Sequence, residues 1–292
     1  MKELEYPFDA AYIIKKRKSL KKALLADGTS RIRKKIAVFG GSTTSDIVKT
    51  LELFLLDAGI EPEFYESEYA QYFQDAMFPD ETLLSFKPDI VFIHTTNRNV
   101  TDWPEMTDTT EQIDEKLHTE INRFTAMWKS IAEKFHCPII QNNFEMPLYR
   151  LLGSRDAWDI HGRTNFLTRL NEAFYAYARE NESFYGLKEW SNPLFWNMYK
   201  YAMCFEAIPS FAFSVSHIIK SIFGKNKKAL ALDLDNTLWG GVVGVDGVDG
   251  IEIGQETGVS QSYYEFQTYV KQLKSLGIVL TVCSKNDHEN AI

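Results

Sequence analysis

The sequence predicts an α/β protein in which parallel strands form sheets covered by helices on both faces. Three short apolar runs lie at 35–39, 89–93 and 138–141, and a long helical pattern at 110–135 separates the last two. Strands that are apolar throughout, without polar residues in alternation, are typical of parallel sheets buried on both faces. A second β-α-β pattern at 229–282 predicts that a doubly wound sheet is followed by the first part of another such domain.

The domain organisation is predicted to comprise four segments, because 292 residues are enough for two domains. They are a basic N-terminal helix (1–30), an α/β domain (31–200), a helical connection and linker (201–227) and the N-terminal part of a second α/β domain (228–292). Two parallel strands alone would leave open edges, so we expect the chain to be truncated within the second domain. Within the first domain, a helix over about 164–180 and a strand at 183–187 are also predicted.

Composition excludes several classes of protein. A net charge of −8 argues against nucleic-acid binding, and three widely spaced cysteines without a C-x-x-C pair suggest neither disulfides nor a zinc site. Neither a signal peptide nor an apolar membrane span is evident, so we expect a cytoplasmic protein with no membrane contact. The basic run at 15–22 is interpreted as the solvated face of a helix, with docking of an acidic partner as the alternative.

A pair of carboxylates marks the predicted catalytic site. Asp233 and Asp235 follow the apolar run 229–232, at the carboxyl end of a predicted strand, where open α/β sheets bind ligands. A carboxylate there can attack phosphorus as a nucleophile, and a second can act as general acid and then base. Ser284 ends the next strand, so one β-α-β crossover would place its hydroxyl at the same edge. Two carboxylates facing an anionic phosphate also predict a Mg²⁺ ion.

A glycine-rich stretch separates the two strands of this second domain. Seven of the sixteen glycines lie between 240 and 258, but neither a phosphate-binding loop motif nor an EF-hand spacing is present. Apolar pairs around a glycine–aspartate turn favour a β-hairpin over these alternatives. Such a hairpin could be a flap that closes over the site, or it could be purely structural.

The motifs at 233–244 and 282–287 resemble those of FkbH-like proteins, a branch (subfamily IIIC) of the haloacid dehalogenase (HAD) superfamily. The D-x-D-x-T element is shared across that superfamily, whereas the Trp-Gly-Gly and Cys-Ser-Lys-Asn-Asp extensions are specific to the branch. The resemblance implies a Rossmann-like domain with Asp233 as nucleophile and metal ligand. It implies that Asp235 is the acid/base and a second metal ligand through its carbonyl, and that phosphate is bound by Leu234, Asp235, Ser284 and Lys285. The family also needs a later lysine and further acidic ligands, so we expect this chain alone to turn over slowly or not at all.

The first domain resembles SGNH/GDSL hydrolases, which have a flavodoxin-like sheet. Phe39-Gly40-Gly41-Ser42 is similar to the Gly-Asp-Ser block of that family, with Gly41 in place of the aspartate and Ser42 at the nucleophile position. Asn97 is similar to the asparagine of the oxyanion hole. No Asp-x-x-His motif is found to activate the serine, and His94 is the one histidine considered near this secondary candidate site. The domain is therefore expected to have lost hydrolase activity.

Together these patterns predict a magnesium-dependent phosphatase or phosphotransferase that acts through an aspartyl-phosphate. The resemblance makes a phosphorylated glyceryl group or a carrier-linked metabolite the expected substrate, and an acyl carrier protein a potential partner. Two alternatives stay open: an SGNH-type esterase or acyltransferase that uses Ser42, and a non-catalytic binding scaffold.

Overall fold

A computed structural model describes residues 1–147, 150–174, 193–275 and 277–286 of the chain. The chain divides into two compact units, Met1–Phe223 and Gly224–Ile292. The predicted strand at 183–187, and the predicted helix beyond residue 174, lie outside the described residues. None of the helices in the described ranges has the length and hydrophobicity of a membrane span.

The first unit contains a four-stranded parallel sheet in the order β2-β1-β3-β4. Its strands are β1 (Ile32–Gly40), β2 (Ile60–Glu66), β3 (Ile90–His94) and β4 (Ile139–Gln141). Its helices are α1 (Ala10–Ala26), α2 (Ser45–Asp57), α3 (Tyr72–Met77), α4 (Glu81–Phe86), α5 (Thr110–Phe135), α6 (Arg163–Glu172), α7 (Pro193–Tyr199) and α8 (Ile208–Ile222). The strand order changes direction between β1 and β3, and the carboxyl ends of these two strands are where such sheets place a ligand.

Two hydrophobic cores cover the two faces of this sheet. Ile36, Val38 and Phe92 belong to one core, together with residues of α1, α2 and α8. Phe39 and Val91 belong to the other, together with residues of α3, α5 and α6. Successive side chains of a strand point to opposite faces, so a run that is apolar at every position supplies both cores. The predicted parallel sheet covered on both faces is therefore present in the first unit.

Helix α5 shows why the longer helices were predictable. Its buried residues recur every three or four positions along 26 residues, which places them on one face of the helix. Thr109 caps its N-terminus by accepting a hydrogen bond from the amide of Gln112, and the Gln112 side chain accepts one from the amide of Thr109. His136 ends the helix in a left-handed conformation. The observed bounds, Thr110–Phe135, match the predicted ones.

The second unit pairs two parallel strands, β5 (Ala229–Leu232) and β6 (Val279–Val282), in a register that joins Ala229 to Val279. Its helices are α9 (Val243–Asp246) and α10 (Gly258–Ser275). The order of elements is the predicted β-α-β crossover. The strands were predicted to be buried, but within the described part of this unit Ala229, Ala231 and Val279 are exposed.

Candidate active site

The carboxyl ends of β5 and β6 bring the predicted phosphoryl-transfer residues to one edge of the sheet. Leu232 pairs with Val282, and the amide of Cys283 donates to the carbonyl of Leu232 at 2.8 Å. Asp233 and Ser284 therefore follow neighbouring strands at the same level of the sheet. The juxtaposition results from the crossover itself, since both strands run in the same direction.

Asp233 is exposed where β5 ends, and its carboxylate forms a hydrogen bond with the backbone of the next residue. The Oδ1 atom accepts a hydrogen bond from the amide of Leu234 at 2.8 Å. Leu234 is among the residues predicted to bind phosphate, and its amide is paired here with the carboxylate of the preceding residue. An exposed carboxylate that keeps access to solvent can approach a phosphorus atom, as a nucleophile must.

Asp235 is tied into the loop that follows it. Its Oδ1 atom accepts a hydrogen bond from the indole Nε1 of Trp239 at 3.1 Å and another from the amide of Val243 at 3.1 Å. Partial desolvation raises the pKa of Asp235, but the Val243 amide and the side chains of Asn286 and Trp239 outweigh it and leave the pKa lowered. The carboxyl group is therefore ionised at neutral pH, ready to accept a proton.

The glycine-rich stretch forms a compact loop, and the predicted β-hairpin is wrong. A single antiparallel bridge joins Gly240 to Glu252, with N–H···O distances of 2.9 and 2.8 Å. Between them lies the short helix α9, because the amides of Val242 and Val243 donate to the carboxylates of Asp246 and Asp235 instead of to a partner strand. Side chains that capture backbone amides favour turns over strand pairing.

The loop begins with a left-handed residue. Asn236 has φ of 53°, and its Oδ1 accepts a hydrogen bond from the amide of Gly241 at 3.0 Å. Asparagine tolerates this conformation better than most residues, because its short polar side chain bonds to nearby backbone. Gly241 itself has φ of +95°, and a β-carbon there would lie 3.0 Å from the Asp246 carboxylate. These two residues set the path of the loop back towards Asp235.

Ser284 and Lys285 lie in the turn after β6. The Oγ atom of Ser284 accepts a hydrogen bond from the amide of Asn286 at 3.2 Å, while Lys285 is exposed. The side chain of Asn286 is among the groups that lower the pKa of Asp235, although its Nδ2 makes no well-formed hydrogen bond to a described residue. The sequence motif gave no direct signal for this effect on the Asp235 carboxylate.

The secondary candidate residues of the first unit are not arranged together as an exposed site. Ser42 is 2 % exposed, and its Oγ has no hydrogen-bond partner among the described residues. Asn97 donates its side-chain amide to the carbonyl of Glu145 at 3.2 Å. A different asparagine, Asn99, lies against the turn before Ser42, where its Nδ2 donates to the carbonyl of Gly41 at 3.0 Å.

The segment after α7 covers the Ser42 turn. Thr43 donates its hydroxyl to the carbonyl of Tyr199 at 2.7 Å and its amide to the carbonyl of Lys200 at 3.0 Å. Beside it, a small cavity is lined by His94, Asn143 and residues of the covering segment. Burial lowers the pKa of His94 to about 4, and the side chain of Asn142 opposes this shift without making a well-formed hydrogen bond to the ring.

The donor set at the edge of the second sheet fits a magnesium ion. The described residues contain no cluster of three or more acidic, histidine or cysteine side chains that could form an all-protein metal cage. Mg²⁺ is commonly held through one or two carboxylates, with waters and phosphate oxygens completing six ligands. An exposed Asp233 carboxylate beside the backbone oxygens of the following turn supplies hard oxygen ligands of this kind.

Comparison with known proteins gave one informative match. No family model matches the sequence, and no curated protein matches it significantly. Among solved structures, the chain is similar to the N-terminal part of the protein BF1531 from Bacteroides fragilis, which contains a phosphatase domain and is complexed with Mg. The match has 26 % sequence identity and a TM-score of 0.76 over 94 % of this chain and 75 % of that chain. The chain is therefore similar, in fold and in part of its sequence, to a structure that contains a phosphatase domain.

This similarity confirms the α/β fold class predicted from the sequence, and it agrees with the predicted resemblance to a phosphatase-domain protein. It also supports a phosphatase in general and magnesium as the metal, because that structure holds Mg.

A second match, to ornithine transcarbamoylase from Giardia lamblia, has 12 % identity and a TM-score of 0.21, covering 94 % of this chain and 64 % of that chain. A score that low does not indicate a shared fold.

Proposed function

We propose that this chain carries the nucleophile and the acid/base of a HAD-type, magnesium-dependent phosphatase or phosphotransferase of the FkbH-like branch. The observation that carries the proposal is the edge of the β5–β6 sheet. There an exposed Asp233 and the turn containing Ser284 follow two neighbouring parallel strands, and Asp235 lies in the loop after β5. The likeness to a phosphatase-domain structure complexed with Mg supports the same function.

The reaction uses the two carboxylates in sequence. An oxygen of Asp233 attacks phosphorus and the bond from phosphorus to the substrate oxygen breaks. Asp235 takes a proton from the monoanionic phosphate ester or from solvent and passes it to this leaving oxygen. Water then attacks the aspartyl-phosphate, with Asp235 accepting its proton, and the Asp233 carboxylate is regenerated as phosphate leaves. In a transferase, an acceptor hydroxyl replaces that water.

The remaining groups neutralise and orient the phosphoryl group. Bound Mg²⁺ would be held by the Asp233 carboxylate and the Asp235 carbonyl, and it supplies charge neutralisation for the phosphoryl oxygens. The Ser284 hydroxyl and the Lys285 ammonium group are the candidate phosphate contacts from the second strand. The amide of Leu234 could join them when the Asp233 carboxylate turns towards phosphorus.

The substrate class remains the one that the resemblance implies. We propose a small phosphorylated metabolite, such as a phosphorylated glyceryl group, either free or linked to an acyl carrier protein. The esterase alternative is less well supported by the geometry, because Ser42 is buried and no described group forms a hydrogen bond with its hydroxyl. A serine without an activating base is a poor nucleophile.

The decisive experiment compares Asp233→Asn with wild type in phosphate release from p-nitrophenyl phosphate and glyceryl phosphates. We expect Asp233→Asn to abolish magnesium-dependent release, whereas Asp249→Asn, an exposed acid in the same unit, keeps it. Borohydride reduction during turnover should convert Asp233 to homoserine, which peptide mass spectrometry detects. Measurable magnesium-dependent turnover that is equal in wild type and Asp233→Asn would refute the proposal.

A further inference from the structure

Asp235 accepts both of its hydrogen bonds from the following loop through one carboxylate oxygen. Both the Trp239 indole and the Val243 amide donate to Oδ1, each at 3.1 Å. A carboxylate oxygen that already accepts two hydrogen bonds is a poor site for a third proton, because its lone pairs are engaged. Proton exchange with a substrate would therefore take place at Oδ2.

The Trp239 side chain is well suited to hold the carboxylate in one orientation. Indole Nε1 is a donor only, so it cannot exchange roles with the carboxylate, and the bulky ring has few rotamers. An amide from Val243 alone would leave the carboxyl group free to rotate about that single contact. Two donors on one oxygen fix the plane of the group.

The backbone on both sides of Trp239 is anchored. The Gln267 side chain of α10 donates to the carbonyl of Leu238 at 2.7 Å, and Gly240 forms its paired hydrogen bonds with Glu252. A β-carbon at Gly240 would lie 3.0 Å from the ring of Tyr263, so the chain passes close to α10 at this point. These contacts hold the backbone on both sides of Trp239, and an isolated bridge joins Trp239 itself to Asp235.

We infer that Trp239 is a positioning residue that orients the Asp235 carboxylate for proton transfer in the proposed reaction. The inference rests on the proposed function and extends it to the Trp-Gly-Gly stretch, to which no role beyond that of a flap was given. Trp239 itself does not touch the reacting atoms. Its effect is expected on the chemical steps and not on substrate binding.

The test is Trp239→Phe in the full chain, since phenylalanine keeps an aromatic ring and removes the N–H donor. We expect kcat to fall about tenfold with KM and the magnesium requirement unchanged, the size of one lost hydrogen bond to a charged group. Trp158→Phe is the matched control, because Trp158 is 67 % exposed and lies in the first unit. An unchanged kcat, or a rise in KM by the same factor as the fall in kcat, would overturn the inference.

Two further measurements distinguish failure of this inference from misfolding of the variant and from failure of the proposed function. Replacing Trp239 by the isostere 3-benzothienylalanine, in which sulfur replaces N–H, should reproduce the loss of kcat even if the phenylalanine variant folds poorly. Full kcat with the isostere overturns the inference. If wild type and Asp233→Asn release phosphate equally, the proposed function fails. If Asp233→Asn is inactive but both Trp239 variants turn over normally, only the role of Trp239 fails.

Discussion

The side chain of Asn99 occupies the space that a β-carbon at Gly41 would need. A β-carbon built on Gly41 would lie 2.4 Å from Asn99 Oδ1, closer than real side chains allow. Asn99 cannot move away cheaply, because its Oδ1 accepts from the amide of Thr96 at 2.8 Å and its Nδ2 donates to the Gly41 carbonyl at 3.0 Å. The space beside Gly41 is thus filled by an asparagine from the loop after β3.

Gly41→Ala is therefore expected to destabilise the first unit by about 1–3 kcal/mol, the usual cost of overpacking a tight site. Urea unfolding followed by circular dichroism would measure the change. In an Asn99→Ala background the same substitution should cost much less, because the clashing atoms are gone. Equal costs in both backgrounds would show that the Asn99 contact does not determine the need for glycine.

A partly buried ion pair and a tyrosine connect three distant parts of the first unit. Asp46 pairs with Arg17, and Tyr201 donates its hydroxyl to Asp46 Oδ2 at 2.6 Å. Although partial burial raises the pKa of Asp46, the Tyr201 and Arg17 hydrogen bonds leave it lowered overall. Burial and the Asp46 carboxylate together raise the pKa of Tyr201 to about 12.

Tyr201→Phe should lower the free energy of unfolding by about 1.5–3 kcal/mol, since a hydrogen bond to a charged group is lost. The control is Tyr199→Phe, because Tyr199 is 51 % exposed and its ring lies beside that of Tyr201, with the centroids 6.3 Å apart. The two variants can be compared by thermal unfolding under identical conditions. A larger effect in Tyr199→Phe would contradict the importance assigned to the Asp46 contact.

Acid should weaken the fold through His94. The pKa of His94 is lowered to about 4 from an ordinary 6.5, so the folded state favours the neutral ring. Below pH 6.5 the unfolded chain binds a proton that the folded chain does not, and stability falls until the pH reaches the folded pKa. The loss between pH 7.5 and 4.5 is expected to be about 2–3 kcal/mol.

His94→Gln should flatten this part of the stability profile, because glutamine does not titrate. His118→Gln, at an exposed position on α5, serves as control and should leave the profile unchanged. Urea midpoints measured at half-unit pH intervals would give the comparison. The same slope in wild type and His94→Gln would assign the acid sensitivity to other groups.

Removal of divalent cations should abolish phosphate release, because two carboxylates and a phosphoryl group would then repel each other. Mg²⁺ should restore activity after EDTA treatment, whereas Ca²⁺ should restore little, since it prefers longer bonds and more ligands. Phosphate release assayed across a metal titration would measure this. Full activity in excess EDTA would contradict the proposed metal role.

The sequence was sufficient where a repeating pattern controls the structure. Helix α5 and the two-sided burial of β1 and β3 follow from the periodicity of apolar residues over many positions. The β-α-β crossover that brings the Asp233 and Ser284 segments to one edge follows from the handedness of parallel connections. These features depend on averages over a segment, so no single side chain decides them.

The loop contacts were not predictable in the same way. Whether Val243 would join a hairpin depended on one hydrogen bond to Asp235, eight residues earlier, and no periodic pattern reports such a contact. Asn99 was missed because Asn97 matched the expected motif position. In the structure Asn97 donates to the carbonyl of Glu145, whereas Asn99 donates to the carbonyl of Gly41. Individual side-chain partners in irregular backbone are decided by tertiary packing.

The Arg17, Asp46 and Tyr201 contact has a consequence for the order in which the first unit can form. Tyr201 reaches Asp46 across 155 residues, and Thr43 reaches Tyr199 across 156. Closing so long a loop costs conformational entropy before any contact repays it, so these contacts are expected late in folding. During synthesis, α1, α2 and the first strands can assemble on the ribosome, but the unit can close only after residue 201 has emerged.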